Sequence, residues 1–282
     1  MSPNNILIIG ANGQLGTALR AQYPDAQFAD QAELDITDAH SVANFDWSDI
    51  THVLNAAAFT NVDGAETPEG RVASWKVNAS AVANLARVCL EHDMTLLHIS
   101  SDYVFDGTVQ PHTEDEPFSP LSVYGQSKAA GDLVAALAPK HYILRATWVI
   151  GEGKNFVRTM LGLAEKGVSP TVVGDQIGRL TFTSELVRAI DHLLSTEAPY
   201  GTYNVTNDGD VVSWADITRA TFDLSGHTEL VVTPTTTAEY FAGKEGVAPR
   251  PLNSEMNLAK LHSTGFKSRD WIDDLKEYIA HE

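Results

Sequence analysis

At 282 residues, 43% of them hydrophobic, the chain is long enough for one large α/β unit or for a nucleotide-binding unit with a smaller lobe. Its formal net charge of −18 argues against nucleic acid and anionic membranes as partners, so an anionic ligand needs a local cluster of Arg and Lys. The single Cys89 cannot build a disulfide framework, no apolar run is long enough for a bilayer, and no apolar signal region precedes the first strand, so the expected location is the cytoplasm.

Ile6-Leu7-Ile8-Ile9 reads as a short buried strand, followed by Gly10, Gly13 and Gly16 and a helix start at Thr17-Ala-Leu-Arg20. A strand, a glycine turn and a helix form the dinucleotide-binding arrangement, although the spacing is G-x-x-G-x-x-G rather than G-x-G-x-x-G. Gly10 makes the tight turn, Gly13 lets the backbone approach a pyrophosphate, and Gly16 lets the helix pack on the strand. A second strand over Ala26–Ala29 ends near Asp30, an acid placed to favour an unphosphorylated ribose. His52–Asn55 is the next strand. The small residues Ala56, Ala57 and Ala58 at its end suit close passage of a flat cofactor, or an ordinary alanine-rich turn.

Val77-Asn78 opens a helical pattern through Val82, Leu85, Val88 and Cys89, and Thr95–Ser100 is again a strand. Ser101 then stands at the carboxyl edge of the sheet. Tyr124 and Lys128, four apart, share one helical face, and His141–Arg145 is a further strand. Beyond Gly151 the alternation weakens. Thr183 or Ser184 caps a helix through Leu194, Ser213 and Asp216 have capping-box spacing, and Ser268 caps a last helix carrying Trp271, Leu275 and Ile279. The order predicts an α/β fold, a Rossmann-like doubly wound parallel sheet with a smaller C-terminal lobe. Residues 1–150 form the expected NAD(P)-binding domain, with 171–206 returning to it, and 151–282 are mainly the substrate-binding lobe.

Reducing a carbonyl requires a proton for the oxygen as carbon gains hydride, and a phenol supplies one. An ammonium beside Tyr124 is expected to lower its pKa by roughly 1–3 units toward working pH. Ser101 can hold the carbonyl oxygen. Each residue alone has a plainer reading: a solvated helix pair for Tyr124 and Lys128, a cap or turn for Ser101. Together, in this order behind the glycine turn, they point to nicotinamide-dependent carbonyl chemistry, and composition and spacing go no further.

Gly10-x-x-Gly13-x-x-Gly16, Ser101 and Tyr124-x-x-x-Lys128 resemble the extended short-chain dehydrogenases/reductases. Within that superfamily Ser100–Gly107, Pro120–Gly125, Arg145–Trp148, Asn155-Phe-Val and Arg250–Ser254 resemble the dTDP-4-dehydrorhamnose reductase family over nearly the whole chain. The resemblance implies reduction of the C4 ketone of dTDP-4-dehydro-β-L-rhamnose with NADPH, NADH also being accepted, as the last step of dTDP-L-rhamnose synthesis. It implies catalysis by Ser101, Tyr124 and Lys128. It further implies cofactor contacts from Gly10, Asn12, Gly13, Gln14, Leu15, Gly16, Asp35, Ile36, Ala56, Ala57, Ala58, Thr60, Asn78, Tyr124 and Lys128. Substrate contacts fall to Ser101, Asp102, Tyr103, Trp148, Asn155, Arg250 and Asn253, with Arg250 and Asn253 at the diphosphate and Asn78 supporting Lys128 through a water.

The chain departs from the family pattern at Leu180, where Pro is usual, and Arg179 there adds a phosphate contact. Ala18 replaces the first-helix Glu that holds magnesium in some dimeric members, so no metal and a mainly monomeric protein are expected. Partnership with the preceding epimerase, fused or separate, stays open. So do two other functions: a nucleotide-sugar epimerase or dehydratase on this scaffold, and a non-catalytic regulatory subunit. The Asp102-Tyr103 pair after Ser101, where dehydratases carry two acids, disfavours dehydration.

Overall fold

The computed structural model describes residues 3–282. The first strand, Ile6–Ile9 (β1), is buried on both faces and is followed by helix Gln14–Gln22 (α1). Strand Gln27–Ala29 (β2), helix Ala39–Asn44 (α2) and strand His52–Asn55 (β3) come next. Helix Pro68–Trp75 (α3) runs through a π-helical turn, Lys76–Ser80, into helix Ala81–Glu91 (α4). Strand Thr95–Ser101 (β4), helix Val123–Ala135 (α5) and strand His141–Ala146 (β5) complete the first half.

The remainder comprises Val149–Ile150 (β6), Phe156–Ala164 (α6), Thr171–Val173 (β7), Ile177–Gly178 (β8), Thr181–Phe182 (β9) and Thr183–Ser195 (α7). Then come Gly201–Asn204 (β10), Val212–Ser213 (β11), Trp214–Leu224 (α8), Thr233–Thr235 (β12) and Thr237–Phe241 (α9). Ala259–Ser263 (α10) and Trp271–His281 (α11) close the chain's elements. None of the helices in the described residues is long and apolar enough to cross a membrane.

Six strands form one parallel sheet in the order β10-β5-β4-β3-β1-β2. The strand period of two explains why β1 is apolar throughout. Ile6 and Ile8 enter one core with Leu15 and Leu19 of α1 and Leu186, Ile190 and Leu193 of α7. Leu7 and Ile9 enter the opposite core with Val42 of α2, Leu85 and Cys89 of α4, and Ala135 of α5. Helices therefore cover both faces. The strand order reverses between β1 and β3, and in such sheets the ligand crevice lies at the carboxyl ends beside that switch point.

A second body packs Ile150, Val157, Phe182, Ile217, Trp271 and Leu275 around one core. The expected return of 171–206 to the main sheet starts later than its first residue. Thr171–Val173 pairs with β12, because Val172 finds apolar neighbours in Ala215 and Phe222 of α8; α7 and β10 are the segments that rejoin the sheet.

Three helix starts differ from expectation. The helix placed at Val77 begins at Pro68, where Thr67 accepts from the Gly70 amide; exposed Glu69, Arg71 and Lys76 hid its periodicity. The cap of α7 is Phe182, with no side-chain cap, and that of α11 is Asp270 rather than Ser268. The capping box at Ser213 and Asp216 is present, with Ser213 Oγ receiving the Asp216 amide at 3.2 Å.

Candidate active site

A cleft of about 780 Å³ opens at the carboxyl ends of β1, β3, β4 and β5. Gly10 turns the chain at φ +75°, and a Cβ there would stand 2.7 Å from the Ala57 amide nitrogen. Any side chain would thus collide with β3's exit and fill the cradle in which Gly13, Gln14, Leu15, Ala56, Ala57, Ala58 and Thr60 meet. Gly16 is not a wall residue; a Cβ on it would approach the Gly10 carbonyl to 2.1 Å, so its bareness seats α1 against the turn. Gly13 is the N-cap of α1 and contributes no side-chain cap, leaving the first-turn amides for an anionic ligand. This cradle fits a dinucleotide pyrophosphate. Asp30, Asp35 and Ile36 line the far end, and the Thr37 hydroxyl and amide on Asp35 Oδ1 hold its carboxyl below the usual range.

Asn12 lies outside the wall. Its amide donates to Asp30 and its Oδ1 accepts from Arg20 at 2.9 Å.

Ser101, Asp102, Tyr103, Tyr124, Lys128 and Trp148 converge on the other end of the same cleft. Ser101 ends β4 and accepts the Tyr103 amide at 3.2 Å, and Ser122 caps α5 by accepting the Gly125 amide, which sets the register of Tyr124 and Lys128. Lys128 is only 2% exposed; its ammonium donates to the Ile99 carbonyl at 2.6 Å, and burial pushes it down to about 8 while Asp132, one turn on, pulls the other way. The Tyr124 phenol is raised, not lowered as the Tyr–Lys spacing suggests. Burial is the main cause and Asp102 adds to it, with the Ser101 hydroxyl as the opposing contact. Lys128 is turned to a carbonyl instead of the phenol, so its charge gives little relief. A phenol held protonated is nonetheless the form a proton donor needs.

Tyr103 stacks edge-on against Tyr124 with centroids 5.5 Å apart. Trp148 adopts φ +42°, an unusual backbone for a large side chain, and stacks on Trp214 at 3.8 Å.

Five residues expected to make contacts are bonded elsewhere. Asn78 makes its direct side-chain bonds away from Lys128: its Oδ1 accepts the Phe59 amide at 2.8 Å and its Nδ2 donates to the Phe59 carbonyl and to Ser127 Oγ. Asn155 caps α6 and donates to the Gly151 carbonyl and the Tyr278 hydroxyl. Arg250 pairs with both Asp63 oxygens at 2.9 Å, at the rim, where its charge still acts on Tyr103. Asn253 donates to the Val109 carbonyl and accepts the Glu255 amide. Arg179, expected at a phosphate, turns to the Gly209 carbonyl and Glu255.

Sequence reading passed over Asp132, which pairs with Arg145 at 2.9 Å behind Lys128. Its signal was available: an acid one helical turn beyond Lys128, on the same stripe.

Residues 4–282 match the family described as RmlD substrate binding domain. The chain belongs to this family. Among RmlD-family relatives, the dTDP-4-dehydrorhamnose reductase of Aggregatibacter actinomycetemcomitans is 37% identical, the alignment covering 98% of each chain. The spore coat polysaccharide biosynthesis protein SpsK of Bacillus subtilis is 36% identical, over 97% of this chain and 96% of that one. The crystal structure of a dTDP-4-dehydrorhamnose reductase from Clostridium acetobutylicum superposes with TM-score 0.89 at 37% identity, covering 98% of both chains. That of the Bacillus anthracis enzyme in complex with NADP superposes with TM-score 0.90 at 32% identity, covering 98% of this chain and 99% of that one. The RmlD fold, with its six-stranded parallel sheet, is thus the Rossmann-like architecture expected from the order of elements.

Proposed function

We propose that this protein is an NADPH-dependent oxidoreductase that reduces the C4 ketone of dTDP-4-dehydro-β-L-rhamnose to dTDP-β-L-rhamnose, with NADH as a second donor. The observation that carries the reading is the meeting of Ser101, Tyr124 and Lys128 at the carboxyl end of β4, in the same cleft as the glycine turn. Family membership and the NADP-bound relative support it.

The dinucleotide supplies the hydride when bound, with Gly10, Gly13 and the first-turn amides of α1 receiving its phosphates. Tyr124 holds the proton that the developing alkoxide takes, its raised pKa keeping the phenol protonated near neutrality. Ser101 offers a hydroxyl to the same oxygen. Lys128 places a positive charge beneath the site, where it favours negative charge developing above it. Tyr103 and Trp148 form aromatic walls for the sugar, and Asp102 stands behind Ser101. In this reading the sheet with its two cores is the cofactor-binding domain, and the second body holds the sugar nucleotide.

Incubation with NADPH and the 4-keto sugar nucleotide, followed by loss of reduced-nicotinamide absorbance, tests the proposal. Turnover that vanishes in Tyr124→Phe is expected. Cofactor binding without any turnover of this ketone would overturn it and favour a regulatory subunit.

A further inference from the structure

A serine hydroxyl has one proton to give and two lone pairs with which to accept. Ser101 Oγ accepts the Tyr103 amide at 3.2 Å and donates to Asp102 Oδ1 at 3.0 Å. Its only proton is therefore directed at the carboxylate and away from a ketone in the cleft. The other carboxylate oxygen accepts Ser254 Oγ at 2.6 Å, a hydroxyl brought by the segment after Arg250. Asp102 is 2% exposed, yet it forms part of the cleft wall.

We propose that Asp102 is a positioning residue acting through Ser101: as a neutral carboxyl it donates to Ser101 Oγ, and the serine proton then turns to the substrate ketone. In that state Oγ accepts twice, from the Tyr103 N–H and the Asp102 O–H, and donates once into the cleft. Ser254 still donates to the other Asp102 oxygen. Only hydrogen bonds are exchanged; the Asp102 proton stays on Asp102, and Tyr124 remains the acid that is consumed. With Asp102 ionised, a ketone oxygen approaching Ser101 meets a lone pair unless the serine gives up a charge-assisted bond.

The titratable groups facing Asp102 are Tyr124 from α5, Tyr103 from its own turn and His112 from the loop before α5. Burial pushes the carboxyl up to about 6, against the hydrogen bonds from Ser254 and Ser101 and the weaker pull of His112. A bound sugar nucleotide excludes more water and favours the neutral form further.

This role rests on the reductase reading, and the experiment separates the two. It measures kcat/KM for the 4-keto sugar nucleotide with NADPH between about pH 5.5 and about pH 8.5. Wild type is expected to decline as pH rises above about 6. Asp102→Asn mimics the neutral acid, with its amide N–H toward Ser101 and its amide oxygen toward Ser254. It is expected to lose the decline that begins above about 6, keeping only the fall near 8 where Lys128 gives up its charge, and to exceed wild type by about 10- to 100-fold near pH 8. Ser254→Ala removes a donor that stabilises the carboxylate, so its limb moves to higher pH; a purely structural serine would leave the limb in place. An Asp102→Asn protein that is slow at every pH, or that keeps the wild-type decline, overturns the role. So does an unmoved limb in Ser254→Ala. A wild type that never oxidises NADPH with this ketone overturns the reductase reading itself.

Discussion

At the residue scale, the site separates the group that moves a proton from the groups that orient it. Tyr124→Phe keeps the ring and its edge-on contact with Tyr103 but removes the acid, so kcat is expected to fall by about 10²–10⁴. NADPH affinity, followed by nicotinamide fluorescence, should stay within about twofold of wild type, because the phenol is not part of the phosphate cradle. Ser101→Ala removes one oriented donor and is expected to cost about 10²–10³ in kcat. Wild-type rates in Tyr124→Phe would remove the phenol from the chemistry.

The Tyr–Lys pair was legible from spacing alone, but its electrostatics were not. The four-residue interval says that Tyr124 and Lys128 share a face; it does not say that Lys128 bonds the Ile99 carbonyl or that Asp102 adds negative charge beside the phenol. Those depend on β4 and α5 meeting, a contact that local sequence does not encode. Arg250 and Asn253 show the same gap. Their residue types suit a diphosphate, yet Asp63 and the Val109 carbonyl hold them, and both partners lie more than a hundred residues away in sequence.

At the element scale, α5 owes its place to a residue with no side chain. A Cβ on Gly125 would stand 2.2 Å from the Tyr103 carbonyl oxygen, closer than packed atoms tolerate. Gly125→Ala must push α5 away from the end of β4, carrying Tyr124 with it. Misplacement of about 1 Å costs on the order of 10²-fold in rate, so kcat is expected to drop by that order while the circular dichroism spectrum is retained. An unchanged kcat would mean that the Tyr103 turn yields instead of the helix.

The capping box of α8 makes a contrasting case. Ser213→Ala should lower stability by about 1 kcal/mol, read as a shifted denaturation midpoint, with turnover intact.

Strong signals were readable for plain reasons: β1 is an unbroken buried apolar run, and α4 carries Val82, Leu85, Val88 and Cys89 on one buried helical face. The start of α3 was not readable, since its exposed charges carry no apolar stripe. The two-residue strands β6, β8, β9 and β11 are too short for any periodicity and exist only because partners pair with them.

At the scale of the whole molecule, the junction between the sheet and the second body holds a buried acid, Glu185 of α7. The Arg269 amide donates to it at 3.0 Å and Arg188 pairs with it, yet burial pushes its carboxyl up to about 7. The folded protein keeps this proton to higher pH than the unfolded chain, which releases it near 4.5. Its contribution to stability is therefore full below the unfolded value and is lost as pH rises through about 7. Melting temperature is expected to fall between about pH 5 and about pH 8, and Glu185→Gln should flatten that slope. A slope equally steep in the variant would assign the effect to other groups, among them Asp102 and Asp274, whose carboxyls are also raised.

The late return of the chain to its main sheet has a consequence for how the protein is made. Strand β10 covers β5, and it does so only after the intervening 54 positions, from Ala146 to Gly201, have been synthesised. Until residue 204 clears the ribosome, β5 presents a bare hydrogen-bonding edge beside the apolar side chains of Tyr142 and Leu144. A nascent chain that pauses near residue 150 is then a sticky intermediate, and a gene truncated there should yield more aggregate than one encoding all 282 residues. Slowing translation just before α7 would lengthen the exposed interval, and chaperone demand should rise with the pause.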